Sequence, residues 1–471
     1  MIELDDIQAL ILRAAGPTVV HQVLTVGQGR GGQAAAVLRA LPCSFGVLSE
    51  QGNRCSIGFT FRGLQALGLP LGYQRVMHQR SPAFAQGAFA RSAALGDTAE
   101  SAASRWSPCF RPDVAHVLVS WHGESRWIAQ QAQCLQDRWA ALWGSVHWPP
   151  FEGQRLGAPI GEEGEWIHFG MRDGVTEVSC DDAHPRPTAP VLHQHALGAL
   201  VLGLPNELGL NHYALPRSPR RVRAFFSGSS FGVFRPMRQD VVSFERLMDE
   251  WARDLPWPSR SSSFTSDIKA AKQRFLKAKL LGRWPDGSAL RADAFSPPKQ
   301  AANAQHWDLD LKHDPQGLGC PIGSHVRRMQ FSPDDSGHVL PRPLQRRSLP
   351  YGPPFDPEGA PHQSIDRGLL GHFFCADLED QFEHLLGQWA TRPRLDMDEA
   401  EASKDPLIGH LESVEGTIRV PMKDKPELVL KGLMDWTQTI GMLYGWYPSK
   451  SALDALLTGD FVPEDEEGPW V

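Results

Sequence analysis

Residues 113–143 read DVAHVLVSWHGESRWIAQQAQCLQDRWAALW, and the hydrophobic period changes partway along. The opening nine residues form a short apolar run of strand length. From Ser125 onward the apolar residues come at intervals of three and four, which mark one face of a helix. The same change from strand to helix recurs three more times. PTVVHQVLTV (17–26) precedes GGQAAAVLRAL (31–41), SSFGVFRPM (229–237) precedes RQDVVSFERLMDEWARDL (238–255), and LLGHFFCADL (369–378) precedes EDQFEHLLGQWA (379–390). Two such units with hairpin strands between them outline a ferredoxin-like βαββαβ domain. The chain therefore reads as α+β, a duplicated pair of ferredoxin-like domains with antiparallel sheets and helices packed outside. The expected boundaries are 1–215 and 216–471, with an insertion in the second domain around 256–317. The proline-rich stretches DDAHPRPTAPV (181–191) and ALPRSPRRVR (214–223) read as connections, and 332–359 is turn-rich.

Composition narrows the function classes. With 471 residues, 41% hydrophobic and 21% charged, the chain is that of an ordinary globular protein. A net charge of -7 opposes non-specific nucleic-acid binding, which needs basic surface. The start, MIELDD, lacks the basic and apolar regions of a signal peptide, and no apolar run is long enough to span a bilayer. Seven cysteines without a C-x-x-C pair fit reduced thiols, so the expected location is cytoplasmic, with no membrane and no nucleic-acid partner.

One motif misleads. Gly27, Gly29 and Gly32 in VGQGRGGQ (26–33) satisfy G-x-G-x-x-G after a strand, with Glu50 near the distance of a ribose contact. A doubly wound nucleotide fold then needs a crossover helix. Instead CSFGVLSE (43–50) turns into CSIGFTF (55–61), which reads as a hairpin, so an NAD(P)-dependent oxidoreductase is a distant alternative.

Three other stretches carry chemistry. GCPIGSHVRR (319–328) ends a tight segment on His325; HFGMRDGV (168–175) sets Asp173 between glycine-flanked turns; QRRSLPYGPP (345–354) places Arg346 and Arg347 before a turn. In the chain order Asp173, His325, Arg346, and with SIGFTFRGLQALGLP (56–70), LGALVLGLPNE (197–207), GRWPDGS (282–288) and RGLLGHFF (367–374), they resemble the dye-decolorizing peroxidases over nearly the whole chain.

The resemblance implies a pseudo-barrel of two ferredoxin-like domains and a heme b cofactor with His325 as the axial iron ligand. It implies that Asp173 moves a proton of bound hydrogen peroxide and that Arg346 offers a fixed positive charge to the breaking O–O bond. Arg327 is expected at the cofactor, and Asp377 as the acidic partner of the ligand's other nitrogen. Gly323 and Ser324 would let the backbone approach the porphyrin. The reducing substrates would be bulky or phenolic donors, dyes included, with homo-oligomerisation left open. A heme-handling protein with incidental peroxidase activity is the alternative from another class. The chain departs from the family at Gln330, where an asparagine is common, in DGVTEVS after Asp173, and at Gly371, where many members carry phenylalanine. The 15 tryptophans, and Tyr444, Trp446 and Tyr447 in MLYGWYPS (442–449), are candidate electron carriers or ordinary core. Because side chains alternate along an extended segment, only one of Arg346 and Arg347 is expected to face the peroxide side, the other facing solvent or a heme propionate.

Overall fold

The computed structural model describes residues 2–13, 16–46, 52–143, 148–158, 164–175, 178–180, 194–257, 268–292, 295, 309, 311–330, 342–356, 365–391, 404–410 and 416–462. The connection at 181–191, much of the insertion and all of 331–341 lie outside them. Eight strands set the architecture: β1 (Thr18–Leu24), β2 (Arg54–Phe59), β3 (Val117–Gly123), β4 (Phe151–Gln154), β5 (Ser230–Gln239), β6 (Gln345–Arg346), β7 (Gly368–Cys375) and β8 (Leu443–Tyr447). They lie in the order β6-β7-β5-β8-β2-β3-β1-β4, with Leu349–Tyr351 and Thr437–Thr439 added on β7 and β5.

That order is a duplication. Within the first half it is fourth, first, third, second strand (β4-β1-β3-β2); within the second half it is the same (β8-β5-β7-β6). This is the ferredoxin-like arrangement twice over, and all these neighbours are antiparallel. Within the sheet, among the described residues, the halves are paired at Trp446 of β8 opposite Phe59 of β2. The sheet curls so far that a side chain on Gly153 of β4 would stand 3.0 Å from Leu370 of β7 and from the Pro350 carbonyl. No ladder closes this gap among the described residues.

Each helix keeps the face its sequence period implied. In α2 (Ser125–Trp143), Ile128, Ala132, Leu135 and Trp139 are buried; in α3 (Val241–Asp254), Val241, Phe244, Met248 and Ala252 are. Asp240 caps α3 by accepting the Ser243 N–H at 3.0 Å. After β1, α1 (Gly31–Arg39) buries Ala34, Ala35 and Leu38. The run after β7 forms wide π-helical turns at Leu378–Glu383 and Leu385–Ala390. The glycine-rich turn serves this packing: a Cβ on Gly31 would meet the Ala66 carbonyl at 2.6 Å. Since β1 has only antiparallel neighbours among the described residues, the doubly wound nucleotide alternative fails. Ion pairs also join the halves, with buried Asp97 accepting from Arg235 of β5 at 2.7 Å and Glu383 meeting the half-buried Arg91.

Candidate active site

The loop that ends on His325 is clamped from three sides. The helix α4 (Ile268–Leu281) brings up Lys279, whose buried ammonium donates to the carbonyls of Leu318 (2.8 Å) and Gly319 (2.9 Å). The Asp314 carboxylate accepts the N–H groups of Gly319 and Cys320. Arg327 donates through Nη1 to the Asp314 and Cys320 carbonyls at 2.7 and 3.0 Å. Arg327, expected at the cofactor, thus braces the loop that carries His325. Gly282 follows α4 with φ +96°, and a Cβ there would lie 2.8 Å from Ser324 Oγ and 2.9 Å from Cys320 Sγ. The helix α5 (His325–Gln330) begins at the histidine itself.

His325 is held from behind by a residue the sequence did not reveal. Its Nδ1 donates to Asp405 Oδ2 at 2.9 Å, and Asp405 is fully buried. The other carboxylate oxygen accepts the N–H groups of Leu407 (2.9 Å) and Ile408 (3.0 Å), so the carboxylate cannot rotate away. Burial pushes this carboxyl up, yet the adjacent His325 ring, the Arg328 charge and the Leu407 N–H together hold it below the usual value. Asp377, the expected partner, is corrected here. It caps the following helical turn through the Asp380 N–H at 2.8 Å and faces His212 in a separate cleft beside Arg342. A carboxylate just ahead of a helical run serves the run's free N–H groups first.

Asp173 ends a short hairpin, Glu165–Ile167 with Met171–Asp173. Its Oδ1 accepts the Gly174 N–H at 2.8 Å and stands 3.7 Å from Arg346 Nη1. Both side chains are partly exposed, 31% and 47%. Arg346 and Arg347 do diverge, as the period of an extended segment requires. Arg347 turns inward, donating to the Leu10 carbonyl at 2.7 Å and to Ile11 at 3.4 Å, not toward solvent or a propionate as expected.

The three motif segments are tied to one another. Arg172 donates its N–H to the Pro285 carbonyl at 2.7 Å, in the same GRWPDGS turn whose Gly282 seats the His325 loop. His168 and the Tyr351 carbonyl join the Asp173 and Arg346 segments at 2.7 Å. The departure at Gly371 also has a local cause: a Cβ there would meet the Arg235 carbonyl at 2.7 Å and the Phe373 ring at 2.8 Å.

Tyr444, Trp446 and Tyr447 are all buried in β8. Tyr444 donates to Glu383 at 2.8 Å, Trp446 stacks on Phe225 at 5.0 Å, and Tyr447 pairs with His372. All three are packed into the core.

Among the described residues no helix is long and apolar enough to cross a membrane. No protein-family model matches the chain, and no curated protein matches it by sequence. Solved structures do. A dye-decolorizing peroxidase in complex with 2,6-dimethoxyphenol superposes with a TM-score of 0.74 at 21% identity, covering 97% of this chain and 100% of that one. The enzyme of Auricularia auricula-judae gives 0.73 at 20% identity, with 97% and 99% covered. An ancestral D-type dye-decolorizing peroxidase gives 0.72 at 21%, again with 97% and 99% covered. The chain therefore has the fold of the dye-decolorizing peroxidases, over nearly its whole length.

Proposed function

We propose that the protein is a heme-dependent peroxidase that reduces hydrogen peroxide and takes single electrons from bulky or phenolic donors. The observation that supports this most is the His325–Asp405 pair at the end of a braced loop. An imidazole with Nδ1 fixed by a buried carboxylate, and with no described residue hydrogen-bonded to Nε2, is the donor set of an axial iron ligand. The residues therefore fit a heme b, which when bound would supply the redox chemistry that splits peroxide.

The chain's own groups supply the rest. His325 would hold the iron through Nε2, and Asp405 keeps the proton on Nδ1 and makes the ring a stronger donor. Asp173 would take the proton from one peroxide oxygen and return it to the other, so that the second leaves as water. Arg346, within 3.7 Å of that carboxylate, would face the negative charge that grows as the O–O bond breaks. Arg347 serves the fold.

The test is an absorption spectrum of the purified, heme-loaded protein before and after one equivalent of hydrogen peroxide. A rapid change in the Soret band that reverses on adding a phenol such as 2,6-dimethoxyphenol supports the peroxidase. A Soret band indifferent to peroxide favours a heme-handling protein.

A further inference from the structure

Far from the His325 loop in sequence, the curled sheet encloses three histidines. His21 on β1, His122 on β3 and His372 on β7 are all fully buried. Their ring centroids are 5.7 Å apart for His21 and His122 and 5.3 Å for His21 and His372, both edge-on. One nitrogen from each ring lies within 4.8 Å of the other two.

The hydrogen bonds around them are selective. His21 Nδ1 pairs with Ser120 Oγ at 2.8 Å, and His372 Nε2 pairs with the Tyr447 hydroxyl at 2.8 Å. Among the described residues, His21 Nε2, His372 Nδ1 and both nitrogens of His122 have no hydrogen-bond partner. Each such atom sealed from water costs about 1–3 kcal/mol, and native interiors seldom leave one unanswered. Even Tyr447 is accommodated at some expense. A Cβ on Gly58, Gly232 or Gly445 would stand 2.5, 2.4 or 2.9 Å from its ring, so three strands give up side chains to seat it.

An outer partner on one ring nitrogen and a bare inner nitrogen is the arrangement of histidine metal ligands. We propose that His21, His122 and His372 bind one late first-row transition-metal ion, copper or zinc, at a site separate from the heme ligand His325. Three neutral imidazoles suit either metal. Metal–nitrogen bonds of about 2.0–2.1 Å in a tetrahedral site bring the nitrogens to about 3.4 Å apart, so the rings must turn inward by about 1 Å or less. Burial holds all three rings well toward the neutral, ligating form, with the Arg347 charge adding to this at His122 and His372. Arg54 and Arg347 border the cluster, and the charges acting on its rings come from arginines and from the histidines themselves. A monovalent cuprous ion therefore sits there at lower electrostatic cost than zinc. His21 and His122 belong to the first half of the chain and His372 to the second, so the ion would tie the halves together inside the sheet.

The experiment uses the full-length, heme-loaded protein purified without chelator. Elemental analysis should find about one equivalent of copper or zinc besides heme iron. After that metal is stripped, Zn²⁺ titration by calorimetry and Cu⁺ competition against a chromophoric chelator should each be tried. At least one should show a single site and raise the melting midpoint. His122→Phe, with its Soret band and circular dichroism retained, should weaken binding by more than about 100-fold, beyond what even a ligand's hydrogen-bond partner is worth. His325→Ala should lose heme and keep the second metal. Folded wild-type protein that takes up neither metal overturns the proposal without reference to any variant. So does metal lost together with heme in His325→Ala, which would place it at the heme ligand.

Discussion

Replacing Asp405 by asparagine tests the proximal arrangement at a single atom. The side chain keeps its shape, so Oδ1 could go on accepting the Leu407 and Ile408 N–H groups. The new amide NH₂ would then point at His325 Nδ1, which is now a donor. The conflict is relieved only by moving the imidazole proton to Nε2, where it blocks the lone pair needed for iron. Flipping the amide exchanges this for two backbone donors facing an NH₂. Neither orientation satisfies every donor. Removing such an outer partner weakens metal affinity by about 10–100-fold, and the buried unsatisfied group costs about 1–3 kcal/mol of folding stability.

The pH dependence follows from the same pair. In the folded protein the Asp405 pKa lies below its ordinary value, so its stabilisation is complete above the usual carboxylate range, near ~3.9. That stabilisation is lost as pH falls through the depressed folded value. Asp405→Asn should lack this component, with acid unfolding correspondingly less steep at the low end. The assay is heme transfer to a scavenger apoprotein, with denaturant melts at neutral and acidic pH. Wild-type heme retention together with an unchanged acid profile would refute the assignment of Asp405.

Asp173→Asn should leave heme bound while slowing the stopped-flow reaction with peroxide by about 10²–10⁴-fold, the usual worth of a positioned proton acceptor. Arg346→Leu should slow that step by about 10²-fold or more with little change in melting midpoint, because its side chain is 47% exposed. Arg347→Leu should do the reverse, losing about 1.5–3 kcal/mol with the charged hydrogen bonds to Leu10 and Ile11. If these two phenotypes exchange, the register of the segment is wrong by one. Asp97→Ala should cost about 3–5 kcal/mol in chemical denaturation, since it strands Arg235 without its carboxylate between the two halves.

The fold was legible because its signals are local. Four changes from strand to helical period lie within contiguous residues, and two copies of the same unit imply the strand order found twice in the sheet. The divergence of Arg346 and Arg347 was legible for the same reason, though not that Arg347 would be drawn into the N-terminal segment. Asp405 was not legible. It lies 80 residues from His325, in a Lys-Asp-Pro turn whose local reading is only a turn. Asp377 looked better because it follows a strand of the matching motif, but its nearest unsatisfied donors belong to its own helix. The three interior histidines are separated still further, at 21, 122 and 372, and become neighbours only when the sheet curls.

The central claim is that His325, oriented by Asp405, carries the heme, and His325→Ala measures this most directly. Wild-type and variant proteins, both shown to be folded by circular dichroism, are loaded with hemin and passed through a desalting column, and the Soret absorbance per chain is compared. Heme lost from the variant, or easily extracted from it, while the wild type retains one per chain is the predicted result. Full loading of the variant with an unchanged ferric spectrum would contradict the account and place the iron ligand elsewhere.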